Sequence, residues 1–179
     1  AAALLRTQPE ARAALGRRFT RLIVDEFQDT DPVQAELCFL LAAPEDPETD
    51  WRRVTLLPGR LFVVGDPKQS IYRFRRADLA VYRQACDRIV ATGGAQLRFT
   101  ANFRSVASIG AFVDAHFRRT FDPARPGASG QQADFAELNT VHPDVPGAGA
   151  WLRIHEITGR TVQAVGPDVE DSAAAIAAC

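Results

Sequence analysis

Lysine is almost missing from this sequence: of 21 basic residues, 20 are arginine and one is Lys68. A phosphate-cradling G-x-x-x-x-G-K-[ST] loop needs a Gly-Lys pair, and Lys68 follows Pro67. No such loop exists in the chain, so any nucleotide chemistry it carries is half a site. Cysteine is scarce too. Cys38, Cys86 and Cys179 share no motif spacing, which argues against a disulfide framework or a zinc site and makes a reducing cytoplasm the default compartment. No apolar run approaches the ~20 residues of a membrane span, and Ala1-Ala2-Ala3-Leu4-Leu5-Arg6 lacks a basic lead and a long apolar stretch, so no membrane is expected. Net charge is −1, so no global field advertises a nucleic-acid partner. The 179 residues are 46% hydrophobic and 24% charged, which excludes a disordered, collagen-like or coiled-coil chain and allows one domain or two small ones.

Two short apolar runs ending in acids are the clearest landmarks. Leu22-Ile23-Val24 leads into Asp25-Glu26, and Leu61-Phe62-Val63-Val64 leads into Gly65-Asp66. Continuous runs of this length suit strands buried on both faces of a parallel sheet. Gln96–Phe99 is a third expected strand and Trp151–His155 a fourth. Helices are expected between them. Asp31 can cap one, with Pro32 first and Gln34 closing a capping box, and with Val33, Leu37, Leu40 and Leu41 on one face. Asp78 opens another with Leu79, Tyr82, Cys86, Ile89 and Val90 inward, stopped by Gly93-Gly94. Ser105 opens a third, with Val106, Ile109, Val113 and Phe117 in phase. Residues 4–18 and 168–178 also read as helical. Strand and helix alternate, so the class is α/β with a parallel sheet. Pro44–Asp50, with four acids and two prolines, reads as a solvated connection, and 123–149 as a long irregular segment. Gly93-Gly94 marks a boundary between two lobes.

In open parallel sheets ligands sit beyond the carboxyl ends of the strands, where both acidic clusters lie. Asp25-Glu26 has the arrangement of a Walker-B pair: one carboxylate holds a nucleotide's magnesium, often through water, and the next orients and deprotonates the attacking water. Two acids after a strand are also a common solvated turn. In Gly65–Arg76, the Gln69 amide suits a terminal phosphate or its attacking water. Tyr72 and Phe74 interleave with Arg73, Arg75 and Arg76, the pattern of a platform on which bases stack while guanidiniums track phosphates. The plainer alternative is core aromatics beside a solvated arginine face. Arg104, in Asn102-Phe103-Arg104-Ser105 before a helix, suits a phosphate-reaching arginine finger or an ordinary surface ion pair. His116, His142 and His155 share no metal-ligand spacing.

The wording and order of these segments are more specific than each alone. Leu22–Thr30, reading Leu-Ile-Val-Asp-Glu-Phe-Gln-Asp-Thr, resembles motif II of the UvrD/Rep-like superfamily 1 DNA helicases. Val64–Arg75 resembles their motif III and Asn102–Ser105 their motif IV. The Asp-Pro-Lys-Gln-Ser-Ile-Tyr-Arg-Phe-Arg wording is closest to the RecB and AddA type subunits of the exonuclease V-like helicase–nucleases. The resemblance covers residues 19–120 firmly and implies RecA-like parallel sheets of the P-loop NTPase type. Residues 1–92 would be the later part of a 1A lobe and 93–179 the start of a 2A lobe, with an irregular loop near 121–149 and ATP between the lobes. It implies that Asp25 serves Mg2+, Glu26 is the catalytic base, Gln69 senses the γ-phosphate and Arg104 is the finger. Tyr72, Arg73, Phe74 and Arg75 would meet single-stranded DNA. A 3′-to-5′ translocase of DNA repair and recombination is implied, working with other subunits or missing parts and inactive as this chain alone. Arg76 stands where that family often has Gly. Two other readings are a catalytically dead helicase-like module that docks a partner subunit, and a metal-dependent phosphoesterase using Asp25, Glu26 and Asp66, which leaves Gln69, Tyr72, Phe74 and Arg104 unexplained.

Overall fold

A computed structural model of the chain describes residues 1–122, 124, 133–146, 155–157 and 160–162. It divides into two compact units, one holding Ala1–Arg98 and a stretch that ends at Asp134, the other beginning at Phe99 and resuming at Phe135. Among the described residues no helix is long and apolar enough to cross a membrane.

The first unit is built on two short parallel strands, β1 (Leu22–Val24) and β2 (Leu61–Val63), in the register Leu22↔Leu61, Ile23↔Phe62 and Val24↔Val63. Ahead of β1 lie two helices, α1 (Ala2–Thr7) and α2 (Pro9–Arg18). The expected single helix over 4–18 is thus broken at Gln8-Pro9, since proline deprives a continuing helix of a donor but suits the first turn of a new one. Between the strands runs α3 (Pro32–Ala42), opened by the capping box that Asp31, Pro32 and Gln34 promise: the Asp31 carboxylate accepts from the N–H of Val33 and Gln34, and Gln34 accepts in return from the Asp31 N–H. Ala35, Phe39, Leu40 and Ala42 are its buried residues, with Leu37 and Leu41 partly buried against the core; of the expected face only Val33 is exposed.

Phe39 stacks tilted on Trp51 with ring centroids 4.9 Å apart, and together with Leu40, Val54 and Phe27 they form the core. Burying each such side chain is worth about 1.5–3 kcal/mol. α4 (Leu79–Ala91) carries its Asp78 cap as expected and stops ahead of Gly93, whose φ of +89° is the left-handed turn glycine tolerates. Val81 and Ala85 are its buried residues; Val90 is exposed.

The sheet does not have two buried faces. Leu22, Val24, Leu61 and Val63 pack on the core, whereas Ile23 is 76% and Phe62 60% exposed, with Val64 exposed beside them. The continuous apolar runs are therefore only half covered among the described residues. Pro44–Asp50 is also more than a solvated connection. Pro44 is buried against Gly16 of α2, and the buried Arg12 guanidinium donates to the carbonyls of Leu40, Ala43 and Glu48, closing the end of α3 onto the acidic loop.

The second unit contains β3 (Ala101–Val106), α5 (Ala107–Thr120) and β4 (Asn139–His142), with β4 parallel to β3 and the register irregular between Asn102 and Val106. A hairpin of β5 (His155–Ile157) and β6 (Arg160–Val162) is antiparallel. Four expectations change here. The third strand is 101–106 rather than 96–99, because pairing with β4 overrides the weak alternation of Gln96–Phe99. Ser105 therefore lies in a strand and does not cap α5. Val106 precedes the helix without a side-chain cap, and Asp144 accepts from the Ser108 N–H at 2.8 Å instead. Finally, the irregular segment includes the strand 139–142. α5 lies close on β4 because Gly110 has no side chain: a Cβ there would sit 2.0 Å from Thr140 Oγ1. The expected helix at 168–178 and most of the expected strand at 151–155 lie outside the described residues.

Candidate functional site at the ends of the parallel strands

The first unit brings the two acidic clusters side by side at the carboxyl ends of β1 and β2. The Val64 N–H donates to the Val24 carbonyl at 2.9 Å and the Phe27 N–H to the Val64 carbonyl at 2.8 Å, so the strand pairing continues into both exits. Asp25 is exposed, and its Oδ1 accepts from the Glu26 N–H at 2.9 Å. Glu26 adopts φ +52°, a left-handed conformation that costs a side-chain-bearing residue about 1–2 kcal/mol. Such outliers persist where the surroundings over-determine them, and they concentrate at working sites. This one turns the chain into the 3-10 turn Phe27–Asp29 and leaves the Glu26 carboxylate exposed.

Gln28 organises the site, although motif spacing does not single it out. Its side chain is 2% exposed. The amide nitrogen donates to Glu26 Oε2 at 2.7 Å and to Asp29 Oδ2 at 3.2 Å. The amide oxygen accepts from the Asp66 N–H at 2.9 Å, and the Gln28 carbonyl accepts from the Ser70 hydroxyl at 3.1 Å. One buried amide therefore touches both strand exits. The only signal in the sequence is its place three residues after Asp25; its burial comes from tertiary packing.

Asp66 anchors the next turn, Pro67–Gln69. Its carboxylate accepts from the Lys68 N–H at 3.0 Å, pairs with Lys68 Nζ at 3.0 Å and accepts from the Gln69 amide at 3.2 Å. Burial raises its pKa, but these donors and the Lys68 charge outweigh burial and hold the carboxyl below its usual range. Gln69 is exposed, with its amide nitrogen turned to Asp66.

Beyond Ser70 the loop changes character. Ile71 through Arg76 are all exposed. Tyr72 and Phe74 stand with ring centroids 5.6 Å apart, and the Arg75 guanidinium lies 5.5 Å from the Tyr72 ring centre and 6.0 Å from that of Phe74. Phe74 is 78% exposed, so these aromatics are not core. Arg73 is exposed in the same turn. Arg76 adopts φ +70°, a left-handed position that glycine takes more readily than arginine.

Arg104 stands in the second unit, within β3 rather than at a strand-to-helix turn. Its side chain is exposed, and its backbone N–H donates to Asn102 Oδ1 at 2.9 Å. Among the described residues no group of three or more His, Cys, Asp or Glu side chains is placed to hold a metal ion. That donor set does not make an all-protein cage.

Residues 1–89 match the family model described as the UvrD/REP helicase N-terminal domain. The chain is 33% identical over 165 residues, 90% of its length, to an ATP-dependent helicase/nuclease subunit (AddA) from Desulforudis audaxviator (strain MP104C), covering 12% of that protein. It is 38% identical over 125 residues, 66% of its length, to the protein of the same name from Moorella thermoacetica, covering 8% of it. Over 95 residues, 53% of its length, it is 39% identical to RecBCD enzyme subunit RecB from Chlamydia trachomatis serovar D, covering 8% of it. The chain spans 8–12% of the length of these relatives.

Proposed function

Since residues 1–89 carry a UvrD/REP helicase N-terminal domain, we propose that the chain is a segment of an ATP-dependent 3′-to-5′ DNA helicase of a helicase–nuclease repair and recombination complex. The observation that carries the reading is the single buried amide of Gln28, which joins the carboxylate end of β1 to the loop bearing Gln69 and the Tyr72–Phe74 pair. This is the connection a motor needs between hydrolysis and strand stepping. The relatives' names and the wording of the two strand exits support it. Ile23, Phe62 and Val64, exposed on one sheet face, support its being a piece of a larger RecA-like lobe, with residues 93–179 opening a second. They count against a self-sufficient docking module.

Magnesium-bound ATP would supply the γ-phosphoryl bond whose hydrolysis drives the cycle. Asp25 would offer its carboxylate to the ion's water shell. Glu26, held by Gln28, would accept the proton of the attacking water at its free carboxylate oxygen. The Gln69 amide would hydrogen-bond the terminal phosphate or that water, and Arg104 would donate to the phosphate oxygens, stabilising charge that grows in the transition state. On the DNA side, the rings of Tyr72 and Phe74 would stack on bases while Arg73 and Arg75 meet the phosphates. Closure around the nucleotide would shift Gln69 and, five residues along, Phe74.

The chain lacks the lysine-bearing phosphate loop, so the isolated 179 residues should bind single-stranded DNA in a salt-sensitive way without hydrolysing ATP. Steady-state phosphate release with and without oligothymidine checks this. DNA-stimulated turnover that disappears in Glu26→Gln would overturn the half-site reading.

A further inference from the structure

The Gly65–Asp66 peptide joins the end of β2 to the loop carrying Gln69, Tyr72 and Phe74, and side chains from other elements hold it on both sides. The Tyr82 hydroxyl, on α4, donates to the Gly65 carbonyl at 3.3 Å, and the Gln28 amide oxygen accepts from the Asp66 N–H at 2.9 Å. Space here is tight: a Cβ on residue 65 would stand 2.8 Å from Gln28 Oε1 and 3.1 Å from the Gln28 nitrogen, so it would press on the Gln28 amide. The Tyr82 ring packs tilted against Phe27, its centroid 6.2 Å away, which ties α4 to the same 3-10 turn that presents Gln28. Burial pushes the Tyr82 phenol up to about 12, so it remains a donor throughout the neutral range.

We propose that Gln28 and Tyr82 are positioning residues that clamp the Gly65–Asp66 peptide and thereby set the Tyr72–Phe74 platform relative to the Glu26 carboxylate. The physical basis is the rigidity of a planar amide. The nitrogen of Gln28 is bound to Glu26 at 2.7 Å and its oxygen to the Asp66 N–H, so neither strand exit moves without the other. Tyr82 supplies the second anchor and restricts rotation of the peptide about the first. Ser70, donating to the Gln28 carbonyl at 3.1 Å, closes the held stretch where the exposed one begins. The inference rests on reading residues 71–76 as a single-strand platform.

The test uses the full 179-residue chain and three variants. Gln28→Met keeps the side-chain length without the amide, Tyr82→Phe removes one hydroxyl, and Val54→Ala thins the core without touching the clamp. Two quantities are read: hydrogen exchange at the Asp66 amide and affinity for a labelled oligothymidine. Gln28→Met and Tyr82→Phe should each speed Asp66 exchange and weaken oligothymidine binding about three- to tenfold, the range of one lost hydrogen bond. Val54→Ala should lower the melting temperature and leave affinity unchanged. Tyr82→Phe, which removes a single heavy atom, carries the comparison if Gln28→Met does not fold. Faster Asp66 exchange with unchanged affinity overturns the clamp, as does an equal loss of affinity in Val54→Ala, which would reduce both residues to general stability. An unaltered chain that binds no oligothymidine overturns the functional reading itself, whatever the exchange data show.

Discussion

Two adjoining stretches of one loop differ sharply in how they are held. From Gly65 to Ser70 the chain is tied to the rest of the first unit by Gln28 and Tyr82, with Lys68 paired to Asp66 inside the stretch. From Ile71 to Arg76 every residue is exposed, and the side chains lean on one another, Arg75 over the rings of Tyr72 and Phe74. Two aromatics stay in water at a hydrophobic cost, directly beside residues that are firmly held. The difference separates a stretch held by its neighbours from one that presents its side chains to solvent, which is the division the proposed platform requires.

The strongest way to break this contrast is to remove its scaffold. Phe39 is fully buried against Trp51, and Phe39→Ala should cost about 3–5 kcal/mol in urea unfolding, loosening the held stretch to the exchange rate of the exposed one. A loss under about 1 kcal/mol, well below the usual cost of emptying a core site, would mean that this core does not carry the unit. Phe74→Ala should do the reverse. With Phe74 78% exposed, its removal should leave the unfolding midpoint in place while reducing oligothymidine affinity by about 1–3 kcal/mol, measured by fluorescence anisotropy at several salt concentrations. Equal binding by that variant would argue against stacking.

Smaller effects sharpen the comparison at its edges. Arg76 closes the exposed stretch at φ +70°, so Arg76→Gly should raise stability by about 1 kcal/mol in urea unfolding, since glycine takes that conformation without the side-chain penalty. No gain would mean that the guanidinium offsets the strain. The last effect belongs to the held stretch and shows only at alkaline pH. The phenol of Tyr82 is lifted from 10.0 to about 12, foremost by burial, so its share of stability is complete below pH 10 and fades as pH climbs toward 12. Tyr82→Phe should lack this alkaline loss, and chemical unfolding of both proteins across the range from 10.0 to about 12 would display it.

Much of this arrangement is legible in the sequence, and the reason is local. Asp31-Pro32 with Gln34, and Asp78 ahead of Leu79, are caps whose partners lie within three residues, so their structure follows from spacing alone. The strands at 22–24 and 61–63 likewise declare themselves by apolar runs. What stays hidden depends on distant partners. Nothing in Leu61–Val63 tells that only one face is covered. The six residues of β3 include Asn102, Arg104 and Ser105 and look less like a strand than Gln96–Phe99; they are one because β4 pairs with them from residue 139 onward. Gln28 reads as an ordinary polar turn residue until the Asp66 N–H, 38 residues later, reaches its amide oxygen. The acids Asp25 and Glu26 are visible by type, but the left-handed backbone that sets Glu26 is not.

Amide hydrogen exchange of the whole chain, with and without saturating oligothymidine, tests the division of the loop most directly. The expected result is new protection concentrated at Ile71–Arg76, with Gly65–Ser70 already slow in the free chain and little altered by DNA. Uniform fast exchange from 65 to 76 in the free chain, or DNA protection that leaves 71–76 untouched, would contradict it.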